Sequence, residues 1–273
     1  MELEEYTLTV PGQRTGDAKL LVYRIGAYKD MPDRKRPMVI VCGGGGYRRI
    51  VDREQEPVVL QFLGMGCHAC LLEYSVEPNV FPTALLELAS AVALVRRKAG
   101  EWMVDKDKIV TCGFSAGGHL AASLGVFWNR EKIHCLLNVK PEEVKPNGQI
   151  LCYPVITAGE MAHRGSIEKL LRAECENPEK LELVSLEKQV TPDVPRTFLW
   201  HTIADQDVPV ENSLLFTQAL QKNGVNFELH IYPIGGHGMS LATEETGGSD
   251  ENLVMPYCAG WTDMVRAWMK QFF

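Results

Sequence analysis

Ser115 lies in a pattern that favours nucleophilic chemistry. The stretch from Ile109 to Leu120 passes from an apolar, β-type run through Gly-x-Ser-x-Gly into small residues that suit a helix. A serine on such a strand-to-helix turn projects clear of the backbone, and its flanking glycines avoid collisions with the neighbouring strand and helix. The first amides of the helix point toward any negative charge that develops there. Ser115 is therefore a candidate nucleophile, with an ordinary Gly/Ser loop as the alternative.

A serine nucleophile needs a base and an acid, and candidates for both follow later strand-like runs. Histidine titrates near neutral pH, so it can accept and return the serine proton, and a carboxylate fixes the imidazole tautomer. The run ending at His201 is followed by Asp205 and Asp207, and His237 lies in a later glycine loop. Taken singly, Asp205 could also be a turn residue before a proline, and His237 could be a loop histidine without a catalytic role. The order serine, acid, histidine favours a triad, with Asp205 preferred because it comes sooner after the strand.

Four consecutive glycines at 43–46 end another apolar run and complete the predicted machinery. Acyl transfer passes through a tetrahedral oxyanion, which preorganised amides stabilise. We predict that the donors are the amide of Gly44 or Gly45 and that of Ala116, the residue after the nucleophile. The alternative of a phosphate or dinucleotide loop is weak, because neither the Lys-Ser/Thr of a Walker motif nor a G-x-G-x-x-G with a following acid is present.

The composition limits the classes of protein and partner. The chain has 273 residues, 45% of them hydrophobic, and a net charge of −7, which predicts a globular domain and argues against nucleic acid as a partner. No apolar run approaches the ~18 residues of a membrane span. The acidic start lacks the basic and apolar regions of a signal peptide, which predicts a cytoplasmic protein.

The eight cysteines are scattered along the chain. The single C-x-x-C, Cys67 to Cys70, lies in a strand-like run, where positions three apart point to opposite faces. We predict buried free thiols in a reducing compartment rather than disulfides or a zinc site. No histidines have metal-ligand spacing, so neither a metal nor a cofactor is expected, and His119 is interpreted as a packing residue.

Strand-like and helix-like segments alternate along the chain. We predict half-buried antiparallel edge strands at 3–10 and 19–28, and a functionally undefined excursion over the sheet at 157–195. The further strands are expected at 37–42, 67–73, up to Ser115, 149–156, 196–201 and 227–232, and the helices at about 57–63, 82–100, after Ser115, 212–222 and 261–273. This alternation predicts a single α/β domain over 1–273, with a mainly parallel sheet, helices on both faces and the functional residues after the strands.

The motifs together resemble the α/β-hydrolase superfamily and, more narrowly, the acetyl-xylan-esterase-like carbohydrate esterases of the lipase/esterase group. The matching strings are Val41–Tyr47, Gly113–Leu120, Leu151–Thr157, His201–Asn212 and Glu228–Gly238. The resemblance implies a Ser115, Asp205 and His237 triad, and acetyl or other short acyl esters of sugars as substrates. The first position of the usual His-Gly-Gly-Gly loop is Gly43 here, which leaves open which glycine amide donates.

Two alternatives to a serine carboxylesterase remain. A serine peptidase or acyltransferase would use the same scaffold, but such peptidases usually carry a large gating domain, for which 273 residues leave no room. A non-catalytic ligand-binding homologue would be expected to have lost a triad residue. The expected partner is therefore a small-molecule or oligosaccharide ester, and the oligomeric state is left open.

Overall fold

A computed structural model describes all 273 residues. The eight strands are β1 Glu2–Leu8, β2 Ala18–Arg24, β3 Arg36–Cys42, β4 His68–Glu73, β5 Val104–Phe114, β6 Gly148–Cys152, β7 Arg196–Thr202 and β8 Phe227–Tyr232. The helices are α1 Glu56–Gly64, α2 Thr83–Lys98, α3 Ala116–Phe127, α4 Glu131–Leu137, α5 Pro141–Val144, α6 Arg164–Leu171, α7 Pro178–Val184, α8 Glu211–Lys222, α9 Glu244–Gly247, α10 Pro256–Ala259 and α11 Trp261–Phe272.

All eight strands form one sheet in the order β1-β2-β4-β3-β5-β6-β7-β8. The pairs β1/β2 and β2/β4 are antiparallel, and every other pair is parallel. The antiparallel strands at one edge and the parallel remainder are as predicted. The predicted α/β class is therefore confirmed.

Two hydrophobic cores cover the two faces of the sheet. The larger core has 51 buried residues and includes the apolar sides of α2, α3 and α8, whereas the smaller has 26 and includes those of α1 and α11. Successive residues of β3 alternate between them: Met38 and Ile40 belong to the larger core, and Val39 and Val41 to the smaller. Because both faces are covered, this strand reads as a continuous apolar run.

The predicted strand at 149–156 ends early, at Cys152. Tyr153 turns the chain with a φ of +36°, and Pro154 has no N–H to donate to a neighbouring strand. The amides of Ile156 and Thr157 instead donate to the side chain of Asn212, at 2.8 and 3.1 Å. The last residues of this predicted strand therefore form a loop that follows β6 and is hydrogen-bonded to Asn212 of α8.

Other boundaries also differ from the sequence-based expectations. The edge strands end at Leu8 and Arg24, sooner than predicted, and β5 begins already at Val104. The short helices α4, α5, α9 and α10 were not predicted. The segment 157–195 contains α6 and α7 and joins β6 to β7, and the single-domain assignment stays a prediction.

Most of the cysteines are buried, as predicted, but Cys135 is exposed and Cys175 is only partly buried. All eight are free, and six are buried. Cys67 belongs to the smaller core and Cys70 to the larger, so the two thiols of the C-x-x-C lie on opposite faces of the sheet.

No helix combines the length and the apolar character that crossing a bilayer requires.

Candidate active site

Ser115 lies on the turn between β5 and α3 with a φ of +53°, a conformation that L side chains rarely adopt. The turn is fixed on both sides, because the Ser115 amide donates to the carbonyl of Cys152 and its own carbonyl accepts from the amide of Val155. A Cβ at Gly113 would lie 2.1 Å from the carbonyl oxygen of Gly117, and one at Gly117 would lie 2.2 Å from that of Cys42. Both glycines of the motif are therefore required by backbone contacts.

The structure brings Ser115, His237 and Asp205 into one hydrogen-bonded line. The Nε2 atom of His237 is 2.8 Å from the Oγ of Ser115, and its Nδ1 is 2.7 Å from the Oδ2 of Asp205. A carboxylate only accepts, so the proton lies on Nδ1 and leaves Nε2 free to accept from the serine hydroxyl. This is the tautomer that a general base for Ser115 requires.

The carboxylate of Asp205 contacts three further groups besides His237. Its Oδ1 accepts from the amides of Asp207 and Val208 at 3.0 and 2.9 Å, and the Nε2 of His201 lies 3.3 Å from its Oδ2. Burial raises the pKa of this carboxyl, but hydrogen bonds from His201 and His237 outweigh it and hold the pKa well below its usual range. Asp207 is exposed and lies at the cleft, so the geometry selects Asp205 as the partner of the histidine.

The expectation for Gly44 is corrected by the structure. Its amide donates to the Oε2 of Glu54 at 2.7 Å in a buried hydrogen bond, so it is not free for a substrate oxygen. The amides of Gly45 and Ala116 donate to no other group of the chain. Gly45 has a φ of +130°, and a Cβ there would lie 2.2 Å from the carbonyl oxygen of Arg49. Gly45 and Ala116 therefore remain the candidate oxyanion donors.

Glu54 is a residue that the sequence analysis missed. It is only 2% exposed, and besides the Gly44 amide its carboxylate accepts from the hydroxyl of Tyr153 at 2.7 Å. That hydroxyl accepts in turn from the amide of Ser240 at 2.8 Å. One carboxylate thus connects the glycine loop, the end of β6 and the loop that carries His237. A glutamate among other charged residues, between Asp52-Arg53 and Gln55-Glu56, gives no signal of burial in the sequence, so only the fold reveals this role.

His119, which was expected to be a packing residue, and His201 are both buried and hydrogen-bonded within the fold. The Nε2 of His119 donates to the carbonyl of Val184 at 3.0 Å, and its Nδ1 accepts from the hydroxyl of Tyr47 at 2.9 Å. Burial lowers the pKa of His119 to about 4, so it is neutral near pH 7. His201 lies with its two ring nitrogens 2.8 and 2.9 Å from the hydroxyl of Ser213 and the carbonyl of Val208.

A cleft of about 560 Å³ opens in front of Ser115 and His237. Of its 14 lining residues only Val51 is hydrophobic, and its walls are formed largely by charged side chains and glycines. No group of three histidine, cysteine, aspartate or glutamate side chains in the protein is arranged to hold a metal ion.

Comparison with known proteins places the chain in a family. Residues 27–220 match the family model described as BD-FAE, which covers more than half of the chain. The chain belongs to the BD-FAE family. This BD-FAE protein is 37% identical over 227 residues to endo-1,4-beta-xylanase B of Butyrivibrio fibrisolvens, covering 80% of the chain and 35% of that protein. It is 26% identical over 210 residues to an acetylxylan esterase of Xylanibacter ruminicola, covering 75% and 41% respectively. The chain thus spans well under half the length of these two relatives.

Solved structures of hydrolases share the fold of this chain. The BD-FAE protein is similar to an acetyl ester-xyloside bifunctional hydrolase from Caldicellulosiruptor lactoaceticus, with a TM-score of 0.81, 37% identity and coverage of 94% of this chain and 89% of the other. It is also similar to the carboxylesterase Cest-2923 from Lactobacillus plantarum, with a TM-score of 0.88, 25% identity and coverage of 99% and 98%. The α/β-hydrolase fold indicated by the sequence motifs is therefore confirmed.

Proposed function

We propose that this protein is a serine carboxylesterase that removes short acyl groups, in particular acetyl, from carbohydrates through an acyl-enzyme intermediate. The observation that carries the proposal is the continuous line of hydrogen bonds from Ser115 through His237 to Asp205. The names of the relatives, an acetylxylan esterase and an acetyl ester-xyloside hydrolase, support the class of substrate.

In the first half of the reaction, the Oγ of Ser115 attacks the ester carbonyl carbon while the Nε2 of His237 takes the hydroxyl proton. Asp205 stabilises the imidazolium that forms. The amides of Gly45 and Ala116 donate to the oxyanion of the tetrahedral intermediate. His237 then gives its proton to the leaving alcohol, the carbon–oxygen bond to that alcohol breaks, and the acyl group stays on Ser115.

In the second half, water replaces the alcohol. His237 takes a proton from the water as its oxygen attacks the acyl carbon, and the same two amides donate to the second oxyanion. The proton returns to the Oγ of Ser115 as the acyl–serine bond breaks and the carboxylic acid leaves. The cycle needs neither a metal nor a cofactor.

The cleft supports a polar alcohol portion in the substrate. Val51 is the only hydrophobic residue among the 14 that line the cleft, whereas its charged side chains can form hydrogen bonds with the hydroxyl groups of a sugar. A short acyl group needs no extended apolar tunnel. This argues for acetyl over long-chain esters.

The proposal is tested with Ser115→Ala. We expect the variant to lose hydrolysis of nitrophenyl acetate by at least about a thousandfold, because no other group can replace the nucleophile. Circular dichroism should show the wild-type fold. Ser249→Ala, in an exposed loop, is the matched control and should keep wild-type activity.

A covalent probe provides the second test. A fluorophosphonate should label Ser115, and mass spectrometry that finds the label elsewhere would contradict the assignment.

Rates on a series of acyl chain lengths separate acetyl from longer esters, and a preference for long chains would remove the sugar-ester proposal. Faster cleavage of a peptide nitroanilide than of esters would favour a peptidase instead.

A further inference from the structure

We propose that the cleft selects acyl esters whose alcohol portion carries an anionic group, a carboxylate or a phosphate. This inference rests on the proposed esterase function and specifies its substrate class. It is carried by the arginines that line the cleft beside Ser115 and His237.

Three guanidinium groups lie on the side of the cleft formed by the segment between β3 and α1. Arg48 and Arg49 are exposed, and Arg53 is partly buried. None of the three forms a salt bridge, whereas Lys169, another cation of the cleft, is already paired with Glu77 at 3.0 Å. Guanidinium groups match the two oxygens of a carboxylate or phosphate, and they stay charged at every physiological pH.

The acidic residues of the cleft do not neutralise this side. The carboxylate of Glu54 points inward, where it accepts from the amide of Gly44 and the hydroxyl of Tyr153. Asp207 belongs to the loop after β7, and no salt bridge joins it to an arginine. The chain as a whole has a net charge of −7. The cleft beside the candidate nucleophile thus contains three arginines without ionic partners, although the chain as a whole is negatively charged.

The position of Arg53 assigns the anion to the alcohol portion. Its Nε donates to the carbonyl of Gly238 at 2.8 Å, and a Cβ on Gly238 would lie 3.0 Å from its Nη2. Gly238 is the residue after His237, which protonates the leaving alcohol. A guanidinium at this point flanks the alcohol rather than the acyl group.

The expected selectivity is moderate. A single solvent-exposed ion pair contributes little to binding, and salt screens it. Acting together, three such contacts predict a preference of about tenfold in kcat/KM for the anionic over the neutral ester. Because the contacts form already with bound substrate, we expect the preference mainly in KM.

The test compares four monoacetylated methyl hexosides: a neutral glucoside, the glucuronate, the methyl ester of that glucuronate, and the glucoside phosphate. Either free anion should be hydrolysed with about tenfold higher kcat/KM than the neutral glucoside, and the advantage should shrink as NaCl rises from ~0.02 to ~0.5 M. The uncharged methyl ester controls for shape and should behave as the neutral sugar does. A preference for one anion alone identifies the group as a carboxylate or a phosphate.

The double variant Arg48→Gln/Arg49→Gln locates the effect. It should reduce the ratio of kcat/KM for the anionic ester to that for the neutral ester toward one. Arg34→Gln is the matched control, because Arg34 is exposed and precedes β3, whereas the cleft arginines follow that strand. Its ratio should stay at the wild-type value.

Each outcome decides between the two proposals. Equal or faster hydrolysis of the neutral glucoside overturns the anion preference and leaves the esterase assignment intact. An anion preference that persists in the double variant overturns its assignment to Arg48 and Arg49. Failure to hydrolyse any of the four esters, or nitrophenyl acetate, overturns the esterase function itself.

Discussion

The loop after β7 and the segment between β3 and α1 both end at the cleft, but they use their charged groups in opposite ways. In the first, Asp205 is buried and its oxygens accept from two backbone amides and from His237. In the second, Arg48 and Arg49 are exposed to solvent without ionic partners. Asp205, which must keep one orientation in the proposed reaction, is held by several hydrogen bonds. Arg48 and Arg49, which are proposed to contact the substrate, are free to pair with it.

The segment between β3 and α1 contains this contrast within itself. The buried carboxylate of Glu54 accepts from the amide of Gly44, whereas Arg49 and Arg53 line the cleft. A buried carboxylate without partners would be costly, so the hydrogen bonds from Gly44 and Tyr153 are what allow a charge there. The same short stretch therefore supplies both a positioning contact and the binding surface.

The strongest test of this contrast is Asp205→Asn. An asparagine can donate as well as accept, so it no longer selects the Nδ1-protonated tautomer of His237. We expect kcat on nitrophenyl acetate to fall by about a thousandfold to ten-thousandfold, with little change in KM. A loss of less than tenfold would mean that the buried carboxylate is not needed for the base. The folded state of the variant is checked by circular dichroism.

A smaller effect is expected at Glu54. Glu54→Ala removes the acceptor of the Gly44 amide and should loosen the oxyanion donors, which lowers kcat by about a hundredfold. Glu54→Gln is the matched variant, because its Oε1 can still accept from Gly44 and its Nε2 can donate to the hydroxyl of Tyr153. It should retain most of the activity. Equal loss in both variants would show that charge rather than positioning matters.

The pH dependence of stability tests Asp205 without a substrate. Its pKa is lowered in the folded protein, so this group contributes stability that is present above its unfolded pKa and is lost as pH falls through and below about 4. The free energy of unfolding should therefore fall more steeply below pH 4 in the wild type than in Asp205→Asn, which lacks the titrating group. Urea titrations at several pH values measure it, and parallel curves would contradict the lowered pKa.

The smallest effect is expected at Asp207, two residues from Asp205. Asp207→Asn removes an exposed charge that makes no contact with His237, so kcat on a neutral ester should change by less than about threefold. Because it removes a negative charge from the cleft, the preference for an anionic ester should rise slightly. A large loss of kcat would indicate that this carboxylate takes part in the reaction.

The sequence predicted those features that depend on local order along the chain. Ser115, Asp205 and His237 each follow a strand, and the carboxyl ends of parallel strands lie at the same edge of a sheet, so their proximity could be anticipated. The early end of β6 was also visible in the sequence, because Pro154 cannot donate to a ladder; the apolar residues around it masked that signal.

Features that depend on the path of a loop could not be predicted. A run of four glycines does not reveal which amide is used internally, so the sequence could not distinguish Gly45 from Gly44 as the candidate oxyanion donor. The burial of Glu54 and the exposure of Arg48 and Arg49 depend on how the segment turns between β3 and α1. The sequence alone does not show which of several neighbouring charged residues is buried and which is exposed.

The chain of contacts from Gly44 through Glu54 and Tyr153 to Ser240 has a consequence for substrate entry. It joins three loops that are distant along the chain, because Glu54 and Tyr153 are 99 residues apart and Tyr153 and Ser240 are 87 residues apart. In the proposed mechanism, the nucleophile, its base and the oxyanion donors are thus assembled before an ester arrives. Binding then requires no folding of the catalytic loops, and only the long arginine side chains must settle around the incoming alcohol.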